Sequence, residues 1–290
     1  MDVPDASEHT AGTLCRMLRA AGVDEEVASV TPTERGFSAV YRVETEAETL
    51  YLKAAPEGQS GGIPSEARIQ AVLHEATAIP VPAVRGVVDS HESLPAPFFV
   101  MAACRGQELP YDYLTEFDDE AMRRLARDTG RYLGELHGID VDGFGHVCHS
   151  GSELSGDAPS GDPTVLQADE SRDDWPSYFR ARAGAELNGT DESRFASVAT
   201  DLRSHLEAVA DDLDGPFESV LGRNDHGLHN LLVDPDTGAI TAMLDWAYSL
   251  AVPPAFDFEF AVYLYGGSFL AGLPDARHRR ALVREEMVAG

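Results

Sequence analysis

The sequence predicts an α+β fold in two lobes, the first rich in β-strand and the second mainly helical. Up to Ala102 the chain is dominated by short β-branched and aromatic runs, and beyond Gly106 by long stretches with helical apolar periodicity. The change of character falls at Ala103 to Gly106. Residues 1–103 are therefore expected to form one lobe and residues 104–290 the other. A chain of 290 residues with 43% hydrophobic side chains is long and apolar enough to bury a core.

Residues 13–21 set Leu14, Met17, Leu18 and Ala21 at helical spacing. Residues 39–43 and 49–53 are short strand-like runs separated by polar residues, which reads as a hairpin. A Gly/Ser-rich connection then leads to a helix over residues 65–74, with Ile69, Val72 and Leu73 as its stripe. Pro80 and Pro82 end it. Strands are expected at residues 84–88 and 98–102. In the second lobe, residues 120–137 form a long helix with Leu125, Thr129, Tyr132, Leu133 and Leu136 on one face. Residues 149–174 are acidic and rich in Gly, Ser and Pro, and are expected to be a flexible surface loop. Helices follow at 175–187 and 195–213. Leu231-Leu-Val233 and the run 240–244 flank Asp234-Pro-Asp-Thr-Gly238, giving a hairpin among helices. Residues 256–269 read as a buried helix or apolar segment.

Acidic residues number 50 against 22 basic ones, a formal charge of -28, and they are spread along the whole chain. This is read as the solvated coat of a protein from a salt-loving organism, not as a surface for cationic ligands. With no basic patch to neutralise phosphates, nucleic-acid binding is not expected. No apolar run reaches the ~18 residues of a membrane span. The first ten residues are polar and lack the pattern of a signal peptide. Cys15, Cys104 and Cys148 are odd in number and far apart, which fits a reducing cytoplasm. His146-Val-Cys-His149 lacks a second ligand pair at zinc-site spacing. Oligomeric state is left open. Lys53 is the only lysine, every other basic side chain being arginine. A site that must fit one ammonium between phosphate oxygens would call for the compact point charge of lysine in place of the planar fork of arginine.

The chemistry concentrates between Arg223 and Trp246. Asp225 and Asn230 lie five residues apart before one apolar strand, and Asp245 follows its partner strand. A hairpin can bring all three to one end. Two carboxylates and an amide oxygen offer hard ligands for Mg²⁺ and a carboxylate to accept a hydroxyl proton. Phosphoryl transfer needs those parts, plus a cation on the phosphate oxygens. Trp175 and Tyr178 are expected in the core, and His226 and His229 as exposed polar groups of the loop.

These residues resemble the aminoglycoside phosphotransferase-type small-molecule kinases, relatives of the protein kinases. The family's loop reads His-x-Asp-x-x-x-x-Asn, followed by strand, turn, strand and Asp-Trp or Asp-Phe. The resemblance implies a protein-kinase-like fold, with Asp225 as catalytic base and Asn230 and Asp245 as Mg²⁺ ligands. It implies that Gly36 and Ser38 belong to a phosphate-covering loop and that Lys53, paired with Glu66, contacts the nucleotide phosphates. Val100 and Met101 would lie in the hinge that holds the adenine. Asp257, in Pro254-Ala-Phe-Asp257, would brace the catalytic loop. Leu133-Gly-Glu-Leu-His137 and Val141-Asp-Gly-Phe-Gly145 also resemble family segments. The sequence departs from the family at Arg223, which stands where the loop histidine is usual, in having a single glycine in the Gly36 loop, and in ending at Gly290 where members often add helices.

The implied activity is transfer of the γ-phosphoryl of ATP or GTP to an aminoglycoside-, choline- or homoserine-like alcohol. Arg223 and the short C-terminus support an alternative, a pseudokinase that binds nucleotide without transfer. A metal-dependent phosphohydrolase would use the same carboxylates but leave Lys53 and Glu66 unexplained.

Overall fold

The computed structural model describes residues 9–33, 38–56, 59, 62–109, 118–188, 194, 196–267 and 276–290. The early strands make one antiparallel sheet. β1 (Val27–Pro32), β2 (Ala39–Thr45), β3 (Thr49–Ala54), β4 (Val84–Val88) and β5 (Phe98–Ala102) stand in the order β1-β2-β3-β5-β4. Strand alternation sorts their side chains. Leu50, Leu52 and Ala54 face α1 (Ala11–Ala20) and pack on its Leu14, Met17 and Leu18. Lys53 falls between them and so points to the opposite face, which it shares with its register partner Phe99.

That second face is covered by α2 (Ile63–Ala76), through Ile63 and Ala67. The helix starts at Gly62, whose φ is 74°, a conformation that favours glycine, and where an added Cβ would lie 3.1 Å from the Ala247 carbonyl oxygen, a tight contact. Farther along α2, Ile69, Val72 and Leu73 belong to the largest core, which also holds residues of the second lobe. One helix thus spans both cores.

The second lobe is built on α3 (Asp119–Leu136), capped by Asp118, whose carboxylate accepts from the Ala121 N–H at 2.8 Å. Its apolar face holds the residues expected from the periodicity, Leu125, Thr129, Tyr132, Leu133 and Leu136, all buried. α7 (Ala276–Ala289) packs along it. α4 (Trp175–Leu187), α5 (Ala196–Asp212) and α6 (Pro254–Tyr265) complete the helices among the described residues. A three-stranded sheet has β6 (Gln107–Glu108), β10 (Leu231–Val233) and β11 (Ile240–Met243) in the order β11-β10-β6. A four-stranded one has the order β8-β7-β12-β9, from β7 (Phe144–His149), β8 (Leu166–Arg172), β9 (Val220–Gly222) and β12 (Leu250–Val252). No helix among the described residues is long and apolar enough to cross a membrane.

One expectation is corrected. The stretch 149–174 is not a plain surface loop. It contains β8, an exposed edge strand in which only Leu166 is fully buried, so its polar residues hide the alternation. Ahead of β8 the chain crosses to the first lobe and hydrogen-bonds to edge strand β4. Gly156 donates to the Val87 carbonyl at 2.8 Å, Val87 to that of Asp157 at 3.1 Å, and Asp89 to that of Leu154 at 3.0 Å. Arg68 fastens the crossing by a double contact to Asp89, at 2.7 and 3.1 Å, and a bond to the Ser152 carbonyl. β1, β6, β7, β9 and β12 are likewise strands for which the sequence reading has no expectation.

Candidate active site

Lys53 is held between the two lobes. Its ammonium lies 2.8 and 2.7 Å from the two carboxylate oxygens of Glu66, in the first turn of α2. It also donates to Asp245 Oδ1 at 3.1 Å, across from the other lobe. Lys53 is 8% exposed and Glu66 1%. The Trp246 backbone N–H and Gln70 Nε2 donate to Glu66 as well. Burial alone would lower the Lys53 pKa, but the charges of Glu66 and Asp245 and the hydrogen bonds to them outweigh it and raise it. The ammonium therefore stays charged. Asp245 sits just past β11 at φ 60°, in the left-handed region where a non-glycine residue is strained. Its side chain remains 41% exposed, so one oxygen is engaged by Lys53 while the carboxylate still meets solvent.

The loop from Arg223 to Asn230 joins β9 to β10 and closes with a 3₁₀ turn at Leu228–Asn230. Asp225 Oδ1 accepts from the Gly227 N–H and Oδ2 from Asn230 Nδ2, each at 3.0 Å. The Leu244 N–H donates to the Asn230 carbonyl at 2.8 Å, which ties this loop to the end of β11 beside Asp245. With its NH₂ turned to Asp225, the Asn230 side chain has its amide oxygen left as a donor atom for a cation. Among the described residues no three His, Cys, Asp or Glu side chains gather as a metal site. A cation here would rest on Asp245, Asn230 and oxygens from phosphates and water. That donor set fits Mg²⁺, which keeps waters and takes few protein ligands beside phosphates.

Arg223 and Asp257 form the support beneath. Arg223 is fully buried, its guanidinium 4.6 Å from the centre of the Trp246 ring. It donates from Nε to the Asp225 carbonyl at 2.6 Å and from Nη2 to the Leu244 carbonyl at 2.7 Å. One side chain thus ties the loop at Asp225 to the chain just past β11. Asp257, buried in the first turn of α6, accepts from the backbone N–H groups of Arg223 and Asn224 and from Nε2 of His137 and His226. Burial opposes its charge, but His226 and His137 outweigh that and hold its carboxyl well below the usual range.

Of the other residues singled out from the sequence, Gly36 lies outside the described residues. Ser38 is partly exposed just before β2. Val100 is fully buried against the α1 side, with Leu52, whereas Met101 packs on the face that carries Lys53. His226 is not an exposed loop residue. It is buried and bonded to Asp257 at 2.7 Å. His226 and His137 are the site residues that sequence reasoning missed. The available signal was Asp257 itself, since an acid in an apolar helix must be met by donors.

The sequence profile of the "Phosphotransferase enzyme family" matches residues 29–287. No curated protein sequence matches the chain. Similar solved structures include a Ralstonia eutropha protein assigned provisionally as an aminoglycoside phosphotransferase. It has 16% identity and a TM-score of 0.68, over 96% of this chain and 80% of that one. A thermostable mutant of aminoglycoside phosphotransferase APH(4)-Ia, bound to ADP and hygromycin B, has 15% identity and a TM-score of 0.58 over 94% and 87%. APH(2″)-IIia, bound to GDP and kanamycin, has 14% identity and a TM-score of 0.61 over 94% and 88%. At these identities the likeness is one of fold, the two-lobed protein-kinase-like fold.

Proposed function

The chain belongs to the phosphotransferase enzyme family, and from that membership we propose that it moves the γ-phosphoryl group of ATP or GTP to a hydroxyl of a small molecule. One observation carries the reading. The only lysine of the chain is buried between Glu66 of α2 and Asp245 of the opposite lobe, at the end of the hairpin that also holds Asp225 and Asn230.

In this reading Lys53, steadied by Glu66, binds the α- and β-phosphates, and Ser38, just before β2, contributes to the loop beside them. Val100 and Met101 carry the strand that borders the base, with the lobe boundary just after them at residues 103–104. Mg²⁺ held by Asp245 and Asn230 would offset charge on the phosphate oxygens. Asp225 accepts the acceptor's hydroxyl proton as the oxygen bonds to the γ-phosphorus. The bond from that phosphorus to the β–γ bridging oxygen breaks, and the nucleoside diphosphate leaves with its electron pair. Arg223 and Asp257 hold the loop in register, so no transfer step passes through them. Positioning of this kind supplies most of the catalysis in phosphoryl transfer.

The acidic coat supports a cytoplasm rich in salt as the working environment. The test is Mg²⁺-dependent consumption of ATP and GTP at high salt across a panel of alcohols and amino sugars. Acceptor-stimulated turnover supports the kinase. Tight nucleotide binding with no turnover on any acceptor favours the pseudokinase, and phosphate release without a nucleotide requirement favours a phosphohydrolase.

A further inference from the structure

The helix that carries Glu66 is also held from a second side. Arg68 follows Glu66 by two residues on α2, which turns its side chain about 200° around the helix axis from that of Glu66. Both are buried, Glu66 against Lys53 and Arg68 in a joint of three chain segments. Asp89, just past β4, is the centre of the joint. It accepts from Arg68 Nη1 at 3.1 Å and Nη2 at 2.7 Å, and its Oδ2 also takes the Leu154 N–H at 2.7 Å. Arg68 Nη2 goes on to the Ser152 carbonyl at 3.2 Å. Nη1 reaches back to the Pro64 carbonyl at 3.0 Å, in the first turn of its own helix. Leu154 packs on the small core that holds Ile63 and Ala67 of α2. The second lobe thus grips α2 at the turn that bears Glu66. The crossing itself fits closely against the end of α1. An added Cβ on Gly156, whose φ is 117°, would lie 2.5 Å from the Ala20 carbonyl oxygen.

A fastener for the sheet edge would end at Asp89. This one continues through Arg68 into α2, and through Ser152 and Leu154 into the second lobe. In the phosphotransfer reading the nucleotide phosphates meet Lys53, and Lys53 is steadied only while α2 brings Glu66 to it. A shift of the first turn of α2 by about 1 Å would carry contacts of 2.8 and 2.7 Å out of hydrogen-bond range.

Resting on that reading, we propose that Arg68 is a positioning residue of the nucleotide site. Anchored on Asp89 and the crossing, it holds α2 where Glu66 meets Lys53, so the site is set before nucleotide arrives. Arg68 acts through Glu66 and touches neither nucleotide nor acceptor.

The experiment reads the Lys53–Glu66 pair without any turnover. A small amine-reactive reagent is added to the nucleotide-free protein, and labelling of Lys53, the only lysine, is timed by peptide mass spectrometry. Nucleotide affinity is measured by calorimetry on the same samples. The variants are Arg68→Gln, Arg68→Lys and Gly156→Ala. Gly156→Ala disturbs the crossing and leaves α2 unaltered in sequence, so it decides the matter even where loss of Arg68 impairs folding, which circular dichroism checks. In Arg68→Gln and Gly156→Ala, Lys53 should label faster, since the buried amine loses one of the two carboxylates that keep it protonated. The nucleotide Kd should rise about 10-fold, the scale of one charge-assisted hydrogen bond, with the acceptor KM unchanged. Arg68→Lys, which keeps the charge, should fall between these and the wild type. Folded variants with an unchanged labelling rate and Kd overturn the proposal, reduce the joint to a fastener of the sheet edge and leave the kinase reading intact. A wild type that binds no nucleotide overturns the kinase reading, and the role of Arg68 in the nucleotide site with it.

Discussion

Lys53 is shared by two carboxylates that come from different halves of the chain, and it is the only side-chain amine the protein has. An amine-reactive ATP derivative should therefore label one side chain, Lys53, and free ATP should protect it, as read by peptide mass spectrometry. Labelling that ATP does not suppress would remove Lys53 from the nucleotide site. Lys53→Ala leaves Glu66 buried without its partner and is expected to cost about 3–5 kcal/mol of stability in a denaturant titration. Arginine should not restore nucleotide binding there, because its fork cannot replace a point charge. Asp257 gives a pH dependence. Its folded pKa lies below the ~3.9 of an unfolded aspartate, so its stabilisation is present above about pH 4 and is lost as pH falls below that. In Asp257→Asn the thermal midpoint should be lower near neutrality and should fall less steeply between about pH 4 and 2. These residues were unequally legible. Asp225, Asn230 and Asp245 stand out by spacing, and Lys53 by its solitude. His226 did not, because its burial comes from a partner 31 residues away and from α6 above it.

The elements follow their local patterns wherever one face is buried. α3, α4, β4 and β5 lie within a residue of the positions expected from periodicity or match them outright. The crossing at residues 152–157 lay hidden for the opposite reason. It has no apolar alternation of its own and exists because β4 offers an unpaired edge and Arg68 a buried anchor. Asp89 is held below the usual carboxylate range despite partial burial, by hydrogen bonds from Arg68 and the Leu154 N–H. Asp89→Ala would strand the Arg68 guanidinium, whose side chain is 4% exposed. The expected loss is about 3–5 kcal/mol, with faster protease cleavage within residues 149–160. An unchanged cleavage rate would mean that the crossing is held without the Arg68–Asp89 pair.

For the whole molecule, the two-lobe order was legible because periodicity changes once along the chain. How the lobes meet was not. The Lys53–Asp245 contact spans 192 residues, and only the resemblance to known kinases anticipated their meeting. The charge of -28 acts at this scale too. The screening length falls from ~10 Å at 0.1 M salt to ~3 Å at 1 M. Self-repulsion should fade accordingly, and the thermal midpoint should rise by several degrees over that range, as scanning calorimetry would record.

The central claim is that Asp225 directs a phosphoryl group onto an alcohol. The most direct measurement follows the γ-phosphorus of ATP and GTP by ³¹P NMR, with Mg²⁺, concentrated salt and an alcohol acceptor, in wild type and Asp225→Asn. The expected product in wild type is a phosphate monoester with the nucleoside diphosphate. Its rate should fall about 10²- to 10⁴-fold in the variant while nucleotide binding persists. Inorganic phosphate as the sole product, or equal rates in both proteins, would contradict the account.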